Sequence, residues 1–318
     1  MKKALIFILP FLILPLFLRS DVLYMLGLSF IFVVYCVSWD IVAGYTGQTN
    51  LGHTVFIGIG AYTAALLSIK TNVPIIASII LGGIVSTAFG LAIGCVCLRL
   101  KEYYLALVTA ILPLIFIQLA NIYSNVFGGY EGLSIPFSKA LPGGVIGNYY
   151  ISLLFCILCL AFIYAFINSN IGLKLRAIRD DEKLAEAVGI DVVKYKLLAF
   201  CVSAFFAGMA GALAVHYKLT AGVDFFGIPL MLEIILGVIA GGLGTFYGGI
   251  AGGFAIYVAK NWVFMQISSI VNSISPFRIS DELILYAVLI VLIVRFPRGL
   301  FYELEELLNN KVIKERLK

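Results

Sequence analysis

Apolar runs closed by charged or turn-forming residues recur along the whole chain, near 4–18, 22–39, 54–69, 75–98, 103–122, 149–168, 197–217, 228–241, 247–264 and 283–296. Most are long enough to cross a hydrocarbon core, which takes about 20 residues of helix. None shows the period-two alternation of a membrane barrel, so helices must satisfy the backbone in lipid. The pattern predicts an all-α integral membrane protein: one transmembrane domain over residues 1–318, with about ten crossings.

Composition agrees, with 62% hydrophobic and 12% charged residues, against about 25% charged in soluble domains. The net charge of +5 matters through its distribution, and nucleic acid is not an expected partner. With Lys2 and Lys3 inside, the inside segments carry 16 of the 22 basic residues, so the bias places both termini in the cytoplasm of a cell (inner or plasma) membrane. The stretch MKKALIFILPFLILPLFLRS resembles a signal peptide but lacks a small-residue cleavage site, so it reads as an uncleaved first helix. All six cysteines fall in or at the edge of apolar runs and read as packing residues. No metal site, cofactor site or catalytic constellation can be assembled.

Glycine-rich polar interruptions stand out in such a chain. In GYTGQTNLGH, residues 44–53, Gly44, Gly47 and Gly52 let the backbone leave helical geometry, and Gln48, Asn50 and His53 can satisfy the groups this frees. Two readings stay open: a re-entrant turn needed for packing, or a piece of a translocation path or its cytoplasmic gate. A second stretch, GGLGTFYGGIAGGFAIYVAK, begins with Gly241, Gly242 and Gly244 at another inside turn. The two could record an internal duplication, or only small-residue packing.

The inside loop 169–196 holds six basic and five acidic residues. On a helix starting at Ala177, the residues Ala177, Ile178, Leu184, Ala185 and Val188 form one apolar stripe, with Asp181 interrupting it and Arg179, Lys183 and Glu186 pointing away. Gly189 is placed to end that helix in a left-handed cap. An apolar knob ringed by both charge signs suits a groove on a cytoplasmic protein better than an anionic lipid surface.

The segments GYTGQTNLGHTVFIGIGAYTAALL, GGYEGLSIP, GLKLRAIRDDEKLAEAVGIDVVKYK, GVIAGGLGTFYGGIAGG and RFPRGLF occur in this order over about residues 40–301. In that order they resemble the membrane subunits of branched-chain amino acid ABC importers, and the chain is similar to the longer of the two related permeases. The resemblance implies ATP-driven translocation of leucine, isoleucine and valine. It also implies a homologous second permease, two cytoplasmic ATP-binding subunits and an extracytoplasmic substrate-binding protein as partners. It makes Ala177 to Gly189 the ATPase coupling helix, with Glu186, Ala187 and Gly189 at its most typical positions. No G-x-x-x-x-G-K-[ST] loop occurs, so ATP is expected on the partners and this chain reads as a transport subunit rather than an enzyme. Thr49 and Asn50 depart from the family pattern, as do Leu114 and Ile117 where many members carry charges. These departures leave open a urea or short-amide substrate.

Glu233 reads as the only acidic residue well inside a crossing, and therefore as functional or as a structural hydrogen bond between helices. Gln118 and Asn121 are placed to face the same interior, whereas His216 reads as interfacial. An ion-gradient-driven transporter is the competing class, and it would use Glu233 for coupling.

Overall fold

A computed structural model of the chain describes residues 11–71, 73–97, 102–274 and 280–295. Among the described residues, six helices are long and apolar enough to cross a membrane. They are α1 (Ser20–Thr46), α2 (His53–Lys70), α3 (Ile75–Cys97), α4 (Glu102–Ile122), α5 (Gly144–Ile167) and, after α6 (Asn170–Asp180) and α7 (Glu182–Ala187), α8 (Val192–Lys218). The chain continues through α9 (Ile228–Gly241), α10 (Phe246–Val258), α11 (Met265–Ile274) and α12 (Asp281–Arg295). A π-helical turn, Ala259–Phe264, joins α10 to α11 without a break.

Several expected boundaries shift. The crossing expected at 22–39 extends to Thr46 because its polar residues are satisfied inside the bundle. The expected loop 265–282 is helical as far as Ile274. At 14 residues, α9 is only about 20 Å long at 1.5 Å per residue, shorter than a bilayer core, whereas α10, the π turn and α11 run on continuously over 246–274. Residues 4–10 of the run at 4–18 and the tail at 297–318 lie outside the described residues.

Helix α1 is the axis of the bundle and touches α5, α8, α9 and α10. In its most apolar window 83% of residues are buried, against 22% in α4, so α4 presents its side chains to whatever surrounds the chain. Helix α8 packs on α2 and α3 through small residues. A Cβ on Gly60 would run into the Gly208 carbonyl, one on Gly82 would meet Ala212 Cβ at 2.9 Å, and one on Gly90 would meet Ala204 Cβ at 2.7 Å. Apolar side chains gain little from leaving lipid for one another, so such close backbone approach supplies the packing energy.

The connections gather at two ends. One end carries residues 47–52, 168–191 and 242–245; the other carries 123–143 and 219–227. At the second end β1 (Leu133–Ser134) pairs antiparallel with β2 (Thr220–Ala221), Leu133 opposite Ala221. Leu219 adopts φ 61°, a conformation that disfavours a residue with a Cβ. Two bonds hold it there: its N–H donates to Val215 O (2.7 Å) and its carbonyl accepts from Ile135 N–H (2.9 Å). His216, expected at an interface, is instead buried, with Nε2 2.7 Å from Ser78 Oγ and Nδ1 2.9 Å from the Lys139 carbonyl. It ties α3 and the long loop to α8.

Gly60→Val should push α2 from α8 and destabilise the fold by about 1–3 kcal/mol. Gly249→Ala, whose Cβ meets only Val37 Cγ2 at 3.5 Å, should be tolerated. Thermal denaturation of the detergent-purified protein distinguishes the two.

Candidate gate and coupling site

Gly47 ends α1 in a left-handed cap (φ 75°), and the Gln48 N–H reaches back to Val42 O (3.3 Å). Residues 47–52 then leave helical geometry and fold back into the bundle. The Asn50 carbonyl accepts from the Trp39 indole N–H (2.7 Å), and Leu51 N–H donates to Thr109 Oγ1 on α4 (3.1 Å). Trp39 lies seven residues before the end of α1, which sets the depth of re-entry at about 10 Å. Asn50 Oδ1 closes the turn by accepting from Gly52 N–H (2.9 Å), and Ser38 Oγ lies 3.1 Å from His53 Nε2. Gly52 is required because a Cβ there would meet the Thr109 carbonyl at 2.6 Å. Gln48, Asn50 and His53 are all buried, yet Gln48 Oε1, Asn50 Nδ2 and His53 Nδ1 have no hydrogen-bond partner among the described residues. Buried polar atoms left unpaired are costly, about 1–3 kcal/mol each.

The two glycine-rich stretches meet. Asp40, buried one turn before Gly44, accepts from Gly244 N–H through Oδ1 (2.9 Å), and Arg179 Nη1 donates to the Gly44 carbonyl (2.9 Å). A Cβ on Gly44 would strike Asp40 Oδ1 and Gly244 N; one on Gly244, already at φ 73°, would meet Arg179 Nη1 at 2.6 Å. Gly241 closes the α9–α10 turn, its Cα against the Gly248 carbonyl, and Gly242 caps α9 through an N–H to Val238 O (2.9 Å). Two expectations need correction here. Asp40 is a second acidic residue within a transmembrane helix, so Glu233 is not alone; it was missed because the run was ended at Trp39. Arg179, though partly exposed, does not simply point away: its Nη1 reaches the Gly44 carbonyl at the end of α1.

A third piece enters from the opposite end. The 3-10 turn Val223–Phe226 carries Phe226 inward, where its carbonyl accepts from Thr54 Oγ1 (3.2 Å) and its ring stacks on Tyr62 (5.5 Å) and Phe116 (5.6 Å). Gly58 leaves room for that ring. Segments re-entering from both ends thus touch at the start of α2. The sequence signal for Phe226 was slight: an aromatic pair in a short Gly-flanked connection.

The loop 169–196 is not one helix. Asp181, the interruption in the apolar stripe, is extended (φ −157°) and caps α7, its Oδ1 accepting from Leu184 N–H (3.0 Å). The break splits the stripe. Ile178 and Ala185 pack inward with Val192, while Ala177, Leu184, Glu186, Ala187, Val188 and Gly189 (φ 87°) face outward. Lys196 Nζ holds α7 to α8 through Glu182 Oε2 (2.6 Å), and the Arg176 guanidinium lies 5.4 Å from the Tyr45 ring centroid. Glu233 is buried and paired with Lys260 of the π turn. Gln118 lies on an exposed face of α4, away from Glu233, and Asn121 is half-buried. The structure therefore brings together Gly44, Gly47 and Gly244 with Arg179, and leaves Gln118 and Glu233 apart from them.

A family model described as "Branched-chain amino acid transport system / permease component" matches residues 22–294. The chain belongs to this family. It is 28% identical over 261 residues to the high-affinity branched-chain amino acid transport system permease protein LivM of Salmonella typhimurium, covering 73% of this chain and 61% of that protein. It is 24% identical over 281 residues to the probable LivM permease of Methanocaldococcus jannaschii (75% and 80%) and 24% over 293 residues to the LivH permease of Salmonella typhimurium (85% and 90%). The chain thus spans about 61% of the length of the enterobacterial LivM protein. No solved structure matches it.

In this permease-family chain, Gly44→Ala should open the contact between α1 and the α9–α10 turn and lower stability by about 1–3 kcal/mol. Gly189→Ala, with nothing within 4 Å of the new Cβ, should cost only the left-handed backbone penalty of about 1–2 kcal/mol and leave the bundle intact. Limited proteolysis of the 242–245 turn separates them: only the Gly44 variant should become cleavable there.

Proposed function

We propose that this chain is a membrane-spanning permease subunit of an ATP-driven importer for branched-chain amino acids. In this reading it makes about ten crossings with both termini in the cytoplasm, and the end carrying 47–52, 168–191 and 242–245 faces inward. It pairs with a homologous permease, docks two cytoplasmic ATP-binding subunits and receives substrate from an extracytoplasmic binding protein. Its similarity to both LivM and LivH relatives supports the paired arrangement. Nucleotide chemistry is assigned to the partners, so no cofactor is expected on this chain.

The observation that carries the mechanism is the hydrogen bond from Arg179 to Gly44. The coupling segment, Ala177 to Gly189, broken at Asp181, displays Leu184, Glu186, Ala187, Val188 and Gly189 outward, where an ATP-binding subunit can grip them. In the last turn of α6, Arg179 holds the end of α1 against Gly244. Movement of the loop is thereby passed to both glycine-rich turns at once, and through Asn50 and His53 to the re-entrant segment. Phe226 closes the other side of that segment. Alternating access follows if the loop's motion switches the partners of Gln48, Asn50 and His53, which are short of hydrogen bonds in the present conformation.

Two outcomes are expected when the complex is purified in mild detergent. Glu186→Lys with Ala187→Asp should abolish recovery of the ATP-binding subunits while leaving membrane insertion unchanged; recovery at wild-type stoichiometry would show that the loop is not the docking element. Arg179→Gln should keep the complex together but lower leucine import per ATP hydrolysed at least tenfold in proteoliposomes.

A further inference from the structure

A cavity of about 310 Å3 lies between α1, the end of α8, the 223–227 turn, α9, the π turn and α12, at the end opposite the coupling loop. It is of the size that takes small ligands, for which about 300–1,000 Å3 is usual. Its charges are arranged in depth. Lys218 and Asp224 are exposed at the mouth, Glu282 is half-buried, and Glu233 and Lys260 are paired at the floor, their side chains 7% and 16% exposed. Leu28, Ile31 and Phe32 of α1 and Leu230 of α9 make an apolar wall beside them.

We propose that this cavity binds a zwitterionic α-amino acid with an aliphatic side chain, an assignment that rests on the importer reading above and adds where in this chain the substrate is held. The floor selects for both charge signs. A ligand of single charge that inserts between Glu233 and Lys260 gains one partner and strands the other in a low-dielectric site, which is unfavourable. A zwitterion exchanges one ion pair for two: its carboxylate to Lys260, its ammonium to Glu233. The side chain then lies on the wall of Leu28, Ile31 and Phe32, where buried apolar area favours branched aliphatic groups.

Two further features fit a binding role rather than a helix fastening. Lys260 sits in a π-helical turn, a local departure that occurs frequently at functional sites and is not needed for a surface lysine. The turn that lines the cavity with Asp224, Phe225 and Gly227 also carries Phe226, whose carbonyl holds Thr54 at the re-entrant segment. A ligand in the cavity therefore touches the same four-residue turn that closes the candidate gate.

The test uses the complete permease and ATPase complex in lipid nanodiscs, without binding protein, and radiolabelled leucine as the probe. Leucine should bind and be displaced by valine and isoleucine, while isovalerate (carboxylate only) and isopentylamine (ammonium only) should be at least tenfold weaker. Glu233→Gln with Lys260→Gln, which removes both charges together, should weaken leucine binding at least tenfold in a complex of normal stoichiometry. Displacement by isovalerate or isopentylamine as strong as by valine overturns the proposal on the unaltered protein, even if the double variant fails to assemble. So does leucine binding and import within twofold of wild type in the double variant, and in that case the importer reading stands. A wild-type complex that, with its binding protein, imports none of the three amino acids overturns the importer reading itself and the cavity's ligand with it.

Discussion

Backbone groups that leave a helix at membrane depth have no water to turn to, and the rest of this structure depends on how the chain satisfies them. Residues 47–52 break out of helical geometry inside the bundle, so each freed amide and carbonyl must find a partner from a neighbouring helix. Trp39, Thr109 and Asn50 supply three of those partners, and Arg179 and Asp40 supply the groups that bind Gly44 and Gly244. A re-entrant segment held by side chains from α1 and α4, and joined through Gly44 to Arg179 of the 169–196 loop, is sensitive to all three. That dependence connects a packing problem to a transport mechanism.

The contrast between helices follows from the same constraint. Helices α2, α3 and α8 are held by glycine and alanine contacts at backbone distance, which leave no freedom to slide. Helix α4 has few neighbours in the chain and an exposed apolar surface, although Thr109 at its buried face holds Leu51. The rigid set therefore provides a frame, while the re-entrant segment sits between that frame and a helix whose outer face is left for a second subunit or lipid.

The class and six of the expected crossings were legible in the sequence, because a hydrocarbon core demands long apolar runs and these runs are long. The glycines at 44, 47 and 52 were also legible as a broken helix, since few other residue patterns interrupt such a run. The partners were not. Asp40 follows an apolar run directly, so a hydropathy boundary falls at Trp39 and assigns it to the loop; burial by Gly244, more than 200 residues away, leaves no local trace. Asp181 looked like a flaw in an amphipathic stripe because a helix cap and a helix interior differ in backbone angle rather than composition. Nothing local in the sequence marks Lys260 as the partner of Glu233, because the pair joins α9 to the π turn across 27 residues. For Asp40 and Lys260 the missing information was a contact with a residue distant in the chain, and for Asp181 it was a local backbone angle.

The central claim is that the coupling loop and the glycine-rich α9–α10 turn move as one body. It is tested most directly by electron paramagnetic resonance distances in the reconstituted complex, with spin labels at Val188 and Leu243, both exposed, and a third at Tyr130 on the opposite end. Between the nucleotide-free and the ATP-trapped states, the account predicts a constant Val188–Leu243 distance and a changed Leu243–Tyr130 distance. A Val188–Leu243 distance that changes while Leu243–Tyr130 stays fixed would show that the loop moves without the turn, and would contradict the role given to Arg179.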